Sequence, residues 1–238
     1  MKKALIYFSP TGATKLISDY YQMNLSDYEV IEITNNQEFK DEYFILILSF
    51  PIYGQGIPKV VKKAIRSLKG KYAVINVTYG GVSWGRGLKK AANILHQNGF
   101  KIIGGAIIQT KHTYSNNPYF HNYQNLNPII NKLRNEEYTE IKIPRQAQNI
   151  LSYLFPSLRM RLSIKIIHNQ DKCQKCYKCI NHCPVQALTT NFKCKRNCIR
   201  CLRCVKVCPH QALSFKHNVF LKLYLKMFLK KHKSLFYY

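Results

Sequence analysis

The stretch CQKCYKCINHCP, residues 173–184, sets four cysteines and a proline close together, and CIRCLRCVKVCP repeats it at 198–209. Both copies read C-x2-C-x2-C-x3-C-P, so Cys173, Cys176, Cys179 and Cys183 align with Cys198, Cys201, Cys204 and Cys208. All nine cysteines of the 238-residue chain lie between Cys173 and Cys208, and Cys194 alone falls outside the repeat. A segment of this size has too little apolar volume for a normal core, so whatever the thiols bind must help hold it together. The chain begins MKKALIYFSPTG, whose apolar run ends after Phe8, too short for a signal-peptide core. No uncharged apolar stretch long enough to span a membrane occurs either. The expected location is therefore cytoplasmic. Thiols stay reduced there, which turns clustered cysteines towards metal chemistry and away from disulfides. Structural zinc needs only two separated C-x2-C pairs, and four thiolates in so short a run crowd a tetrahedral ion. Cys194 reads either as an alternative ligand or as a bystander.

The net charge of +26 is unevenly distributed. Residues 1–137 carry 17 Lys and Arg against 9 Asp and Glu, whereas residues 138–238 carry 20 against Glu140 and Asp171 alone. General richness in Lys, Asn, Ile and Tyr is an adequate account of the first excess. The second implies an anionic partner or surface. Nucleic acid is one such partner, but no DNA- or RNA-binding motif appears, so none is expected.

The first half alternates strand and helix patterns. Short apolar runs at 2–9, 28–34, 43–50, 72–79 and 100–108 read as buried strands. Helical spacing recurs at 13–23, 58–69 (with Pro58 in the first turn), 86–98 and about 125–136. Only NNQEFKD separates the second and third strands, leaving room for a brief helix at most. This alternation predicts a doubly wound parallel α/β sheet. Ligands of such sheets bind beyond the carboxyl ends of the strands.

Three loops meet there. SPTGAT (9–14) offers three hydroxyls and a glycine at a helix N-terminus, which suits a phosphate; an ordinary capped turn is the plainer alternative. It is not a Walker loop, and the first strand has no G-x-G-x-x-G. PIYGQGIP (51–58) and TYGGVSWGRG (78–87) are glycine-rich with an aromatic near the tip, Tyr53 and Trp84, and can wall a planar ring.

Together these loops resemble the flavodoxin pattern. By that resemblance the sheet has five strands in the order 2-1-3-4-5, and Ser9, Thr11, Gly12, Ala13 and Thr14 hold the phosphate of FMN. Pro51, Ile52, Tyr53, Gly54, Thr78, Tyr79, Gly80, Gly81, Trp84 and Gly85 then surround its ring. Trp84 is either a stacking partner or loop packing. The cysteine runs resemble those of bacterial ferredoxins, in which the first three cysteines of a run hold one [4Fe–4S] cluster and the fourth reaches the other. That implies one cluster on Cys173, Cys176, Cys179 and Cys208, and a second on Cys198, Cys201, Cys204 and Cys183. The whole chain resembles bacterial flavodoxin–ferredoxin fusion proteins: a flavodoxin-like domain over 1–140, a linker or packing segment over 141–163, and a small α+β two-cluster module over 164–215. The resemblance implies electron transfer between FMN, the clusters and an acidic redox partner. A flavin-dependent reductase fed by the clusters is the alternative.

Residues 216–238 read as a basic amphipathic helix. Lys222, Lys226, Lys230 and Lys233 share one wedge, so the tail suits either an anionic membrane face or packing within the protein. His112, Tyr114 and His121 lie in a polar loop after the fifth strand. That position would cover the flavin edge, with His112 a candidate proton donor against the plainer reading of surface histidines.

Overall fold

In the computed structural model, residues 2–35, 37–115, 122–146, 156–230 and 232–238 are described. His121 and residues 147–155 of the predicted linker lie outside them. The chain runs β1 (Lys2–Tyr7), α1 (Lys15–Asn24), β2 (Glu29–Glu32), β3 (Glu42–Pro51), α2 (Lys59–Ile65), β4 (Lys69–Tyr79), α3 (Gly87–Gln97) and β5 (Lys101–Gln109). A 3-10 turn (Tyr123–Leu126) leads into α4 (Asn127–Arg134). The remaining elements are α5 (Pro156–Ser163), β6 (Ile164–His168), α6 (Lys178–Asn181), α7 (Arg203–Lys206), β7 (Leu213–His217), α8 (Val219–Phe228) and β8 (Leu235–Tyr237).

The main sheet has the order β2-β1-β3-β4-β5-β8. The first five strands pair in parallel, in the 2-1-3-4-5 order of flavodoxin-like doubly wound sheets. The central strands are near-continuous apolar runs because both faces are covered. Alternation sends Ile6, Leu46, Leu48, Ala73 and Ile75 to the face under α2 and α3. Leu5, Ile45, Ile47 and Val74 point to the opposite face, under α1 and α4. The linker begins as a packing segment: Ile143 is buried, and the Ile141 amide donates to the Ile102 carbonyl at 2.8 Å.

Two expectations are corrected. The sheet has six strands, because Leu235–Tyr237 adds antiparallel to β5, pairing Ala106 with Phe236. The tail is not one helix over 216–238: α8 ends at Phe228, and the Lys230 amide then donates to the Gly81 carbonyl at 3.0 Å. Lys230 and Lys233 thus leave the predicted wedge. The reason is the open edge of β5, whose unpaired backbone groups offer the tail hydrogen bonds that continued helix could not exploit.

In the small module β6 and β7 form an antiparallel pair, Ile166 opposite Phe215. Helices α6 and α7 are copies of each other at the same 25-residue offset as the cysteines.

Candidate functional site

The thiols gather into two sets. One cavity is lined by Cys173, Cys176 and Cys179 of the first run together with Cys208 of the second. The other is lined by Cys198, Cys201 and Cys204 with Cys183, and Cys194 stands in its wall. Among the described residues, no three His, Cys, Asp or Glu side chains converge where a single metal ion could be held. The thiols surround a space, as a cluster with iron at its corners requires.

The local backbone explains the arrangement. Lys175, Tyr177 and Gln186 take left-handed conformations, and so do their counterparts Arg200, Leu202 and Gln211. Such conformations cost on the order of 1 kcal/mol each in side-chain-bearing residues. They fold each run around its sulfurs. The Ala187 amide donates to Cys183 Sγ and the Ala212 amide to Cys208 Sγ, both at 3.2 Å.

The two sets differ in environment. Cys176 is exposed, with exposed Lys172, Lys175 and Lys178 close to it in the chain. Cys201 is buried. Burial pushes the Cys201 and Cys204 thiols up to about 12. Cys198 is instead drawn down to about 6, first by a hydrogen bond from Cys194 and further by Arg200, whose Nη1 donates to Cys198 Sγ at 3.4 Å. Iron displaces the thiol protons on binding, so among Cys198, Cys201 and Cys204 it is Cys198 that is most readily supplied as thiolate.

At the carboxyl ends of β1, β3, β4 and β5 lies an open cavity enclosing about 780 Å3 including its mouth. Of the residues expected around FMN, Ser9, Thr11, Ala13, Thr14, Pro51, Ile52, Tyr53, Gly54, Thr78, Tyr79 and Gly80 line it. Ser9 and Thr14 are buried. Ser9 Oγ accepts the Lys15 amide at 2.8 Å, and Thr14 Oγ1 meets Thr78 Oγ1 at 2.8 Å. Below them the Tyr21 hydroxyl donates to Asn76 Oδ1, and Asn76 Nδ2 donates to Ser49 Oγ, both at 3.3 Å, tying α1 to the sheet. Among the described residues the amides of Thr11, Ala13 and Thr14 have no partner, leaving three donors for an anion.

Gly12, Gly81, Trp84 and Gly85 are not among the lining residues. Trp84 packs edge-on against Tyr79 at 5.3 Å and against His232 at 6.1 Å, so loop packing is its role here. Gly85, at φ 54°, lets the two ring loops interlock: a Cβ would lie 2.3 Å from the Gln55 carbonyl oxygen. At Gly81, φ 81°, a Cβ would lie 2.7 Å from the carbonyl oxygen of Lys230. It admits the returning tail.

Thr110, Lys111, His112, Thr113 and Tyr114 complete the wall, as the loop after β5 was expected to do. Burial lowers His112 to about 4, so its ring is neutral at pH 7. Its Nδ1 accepts the Tyr114 amide at 3.2 Å, which leaves the ring proton on Nε2.

Residues of the small module also reach this site, which the linear sequence did not reveal. Lys206 Nζ donates to the Thr11 carbonyl. Arg203 Nη2 pairs with Glu32 at 2.7 Å, and Tyr114 Oη donates to the Arg200 carbonyl at 2.7 Å. Val185 and Ala187 are buried in the core on the α2/α3 face. Ile199 lines both the open cavity and the second thiol cavity. A basic residue two positions after each of Cys198, Cys201 and Cys204 was the available signal, and it does not say which surface that residue meets.

Residues 165–188 and 195–214 each match a family model described as a 4Fe-4S binding domain. No curated protein matches the chain. Among solved structures, a flavodoxin from the domain Archaea is 17% identical over 57% of this chain and 98% of its own, TM-score 0.45. A short-chain flavodoxin associated with a PDU bacterial microcompartment is 16% identical over the same shares, TM-score 0.45. A flavoprotein in complex with FMN from Lactobacillus acidophilus NCFM is 14% identical over 46% of this chain and 93% of its own, TM-score 0.31. The strand order stands on the strand pairing itself and not on these likenesses. The chain therefore joins a doubly wound sheet of flavodoxin-like order to a pair of 4Fe-4S binding domains, the equipment of an electron-transfer protein.

Proposed function

We propose that the protein passes electrons between FMN in the open cavity, the second [4Fe–4S] cluster, the first cluster and an acidic redox protein, in that spatial order. The carrying observation is Ile199, a single side chain that walls both the open cavity and the cavity of Cys183, Cys198, Cys201 and Cys204. The residues fit the groups. Thr11, Ala13 and Thr14 offer amides, Ser9 a hydroxyl and Lys206 a nearby ammonium for a phosphate. Two sets of four thiols suit two clusters. Bound FMN would supply exchange between one- and two-electron steps. The chain's residues hold it, shield it and set its distance from the clusters.

At the far end the exposed Cys176 and the exposed Lys172, Lys175 and Lys178, close to it in the chain, face solvent. That potential favours an acidic protein. A second anionic surface is favoured by α8. Leu225 faces inwards, while Val219, Phe220, Leu223, Tyr224 and Met227 are exposed, Phe220 at 82%. At 100° per residue these five occupy an arc of about 140° away from Leu225. Lys222 and Lys226, also exposed, flank it. Such a helix suits the headgroup layer of an anionic bilayer. Among the described residues no helix is long and apolar enough to cross a membrane.

Anaerobic reconstitution with iron and flavin quantified tests the reading. About eight irons and one FMN per chain are expected. Zinc in place of iron, or no retained flavin, overturns it.

A further inference from the structure

A second space adjoins the open cavity and encloses about 620 Å3 including its mouth. Its shared walls include Ile52, Gly80, His112 and Tyr114, and its outer walls include Val82 and, from α8, Leu225. We propose that it is a binding chamber for a small, uncharged, largely apolar molecule that carries a hydrogen-bond acceptor. Its role beside a flavin rests on the FMN reading, whereas its existence does not.

Three observations fix the ligand class. In a chain of net charge +26, no Lys, Arg, Asp or Glu is among the lining residues. An ion placed there would lose hydration without gaining a counter-charge. The phosphate loop next door has the opposite chemistry, with unpartnered amides and the Lys206 ammonium. The wall is chiefly aliphatic and aromatic, with few polar groups, the usual make-up of a small-molecule site. His112 supplies the orienting group, because Nδ1 is engaged by the Tyr114 amide and Nε2 carries the ring proton. A carbonyl or hydroxyl oxygen is the matching acceptor.

The probe is 1-naphthol, titrated calorimetrically into cluster-loaded protein with and without saturating FMN. One site is expected in both states, and in the flavin-loaded state its filling should perturb the flavin absorbance. The anion 1-naphthoate should bind at least tenfold more weakly. Leu225→Trp and Val82→Trp each fill part of the chamber, and each should weaken 1-naphthol at least tenfold at unchanged iron content. If one of them loses its clusters, the other decides; if both do, the preference of the unaltered protein for naphthol over naphthoate decides. The proposal fails if FMN displaces the probe, since the space then belongs to the flavin ring. It also fails if both variants bind normally or naphthoate binds equally well. If no FMN is taken up but 1-naphthol binds and is weakened by the two variants, the chamber stands and the FMN reading falls.

Discussion

At the residue scale, the fourth cysteine of each run is the most telling position. Cys183 belongs in sequence to the first run but in space to Cys198, Cys201 and Cys204. Cys183→Ala should therefore remove the second cluster and spare the first. Iron should fall from about eight to about four per chain, with one cluster remaining by electron paramagnetic resonance. Loss of the cluster held by the other first-run cysteines would contradict the crossing.

His112 gives a second test at this scale. Burial depresses it from 6.5 to about 4, so between these values the unfolded chain binds a proton that the folded chain refuses. Stability is then unpenalised above pH 6.5 and falls as the pH drops towards 4. The total cost is about 3 kcal/mol. His112→Gln should flatten this part of the profile, read from denaturant midpoints at pH 5 and pH 7.5. An unchanged pH dependence would mean that another group carries it.

At the scale of elements, α8 and β8 are held by different means. β8 is fixed by its ladder with β5, and Gln109 Nε2 holds the approaching strand by donating to the Lys230 carbonyl at 2.7 Å. α8 is thereby presented with its apolar stripe outward. Phe220→Glu with Met227→Glu should abolish sedimentation with vesicles containing anionic lipid and leave iron content unchanged. Equal sedimentation of both proteins would remove the membrane reading. A change in oligomeric state in the variant would assign the stripe to a second copy of the chain. The central strands of the first half were legible as short apolar runs because both of their faces are buried, and the helices from the 3.6 pattern because each buries one face. β8 was not, since three residues carry no period and their pairing depends on an edge created elsewhere in the sheet.

At the scale of the whole molecule, the two cofactor regions meet at one interface made by Arg203–Glu32, Lys206–Thr11 and Tyr114–Arg200. Two cations of the basic half, Arg203 and Lys206, thus serve internal contacts, while Lys172, Lys175 and Lys178 remain exposed. Lys172→Glu with Lys175→Glu and Lys178→Glu should slow electron exchange with a small acidic redox protein at least tenfold at low ionic strength. The difference should shrink as salt is added, because exposed charges further apart than a Debye length of about 10 Å at 0.1 M are screened. A salt-independent difference would point to damage at the cluster.

The sequence by itself determined the doubly wound sheet, the Ser- and Thr-rich loop after β1 and the eight repeated cysteines. Each of these is written in local spacing, and local spacing reflects backbone geometry directly. Only the tertiary structure decided that Trp84 packs within its loop and that Gly81 and Gly85 serve close chain crossings. It alone set Lys206 on the Thr11 carbonyl and Ile199 between the two cavities. Those facts arise where segments far apart in the chain compete for the same few ångströms, and no spacing along a single strand encodes that competition.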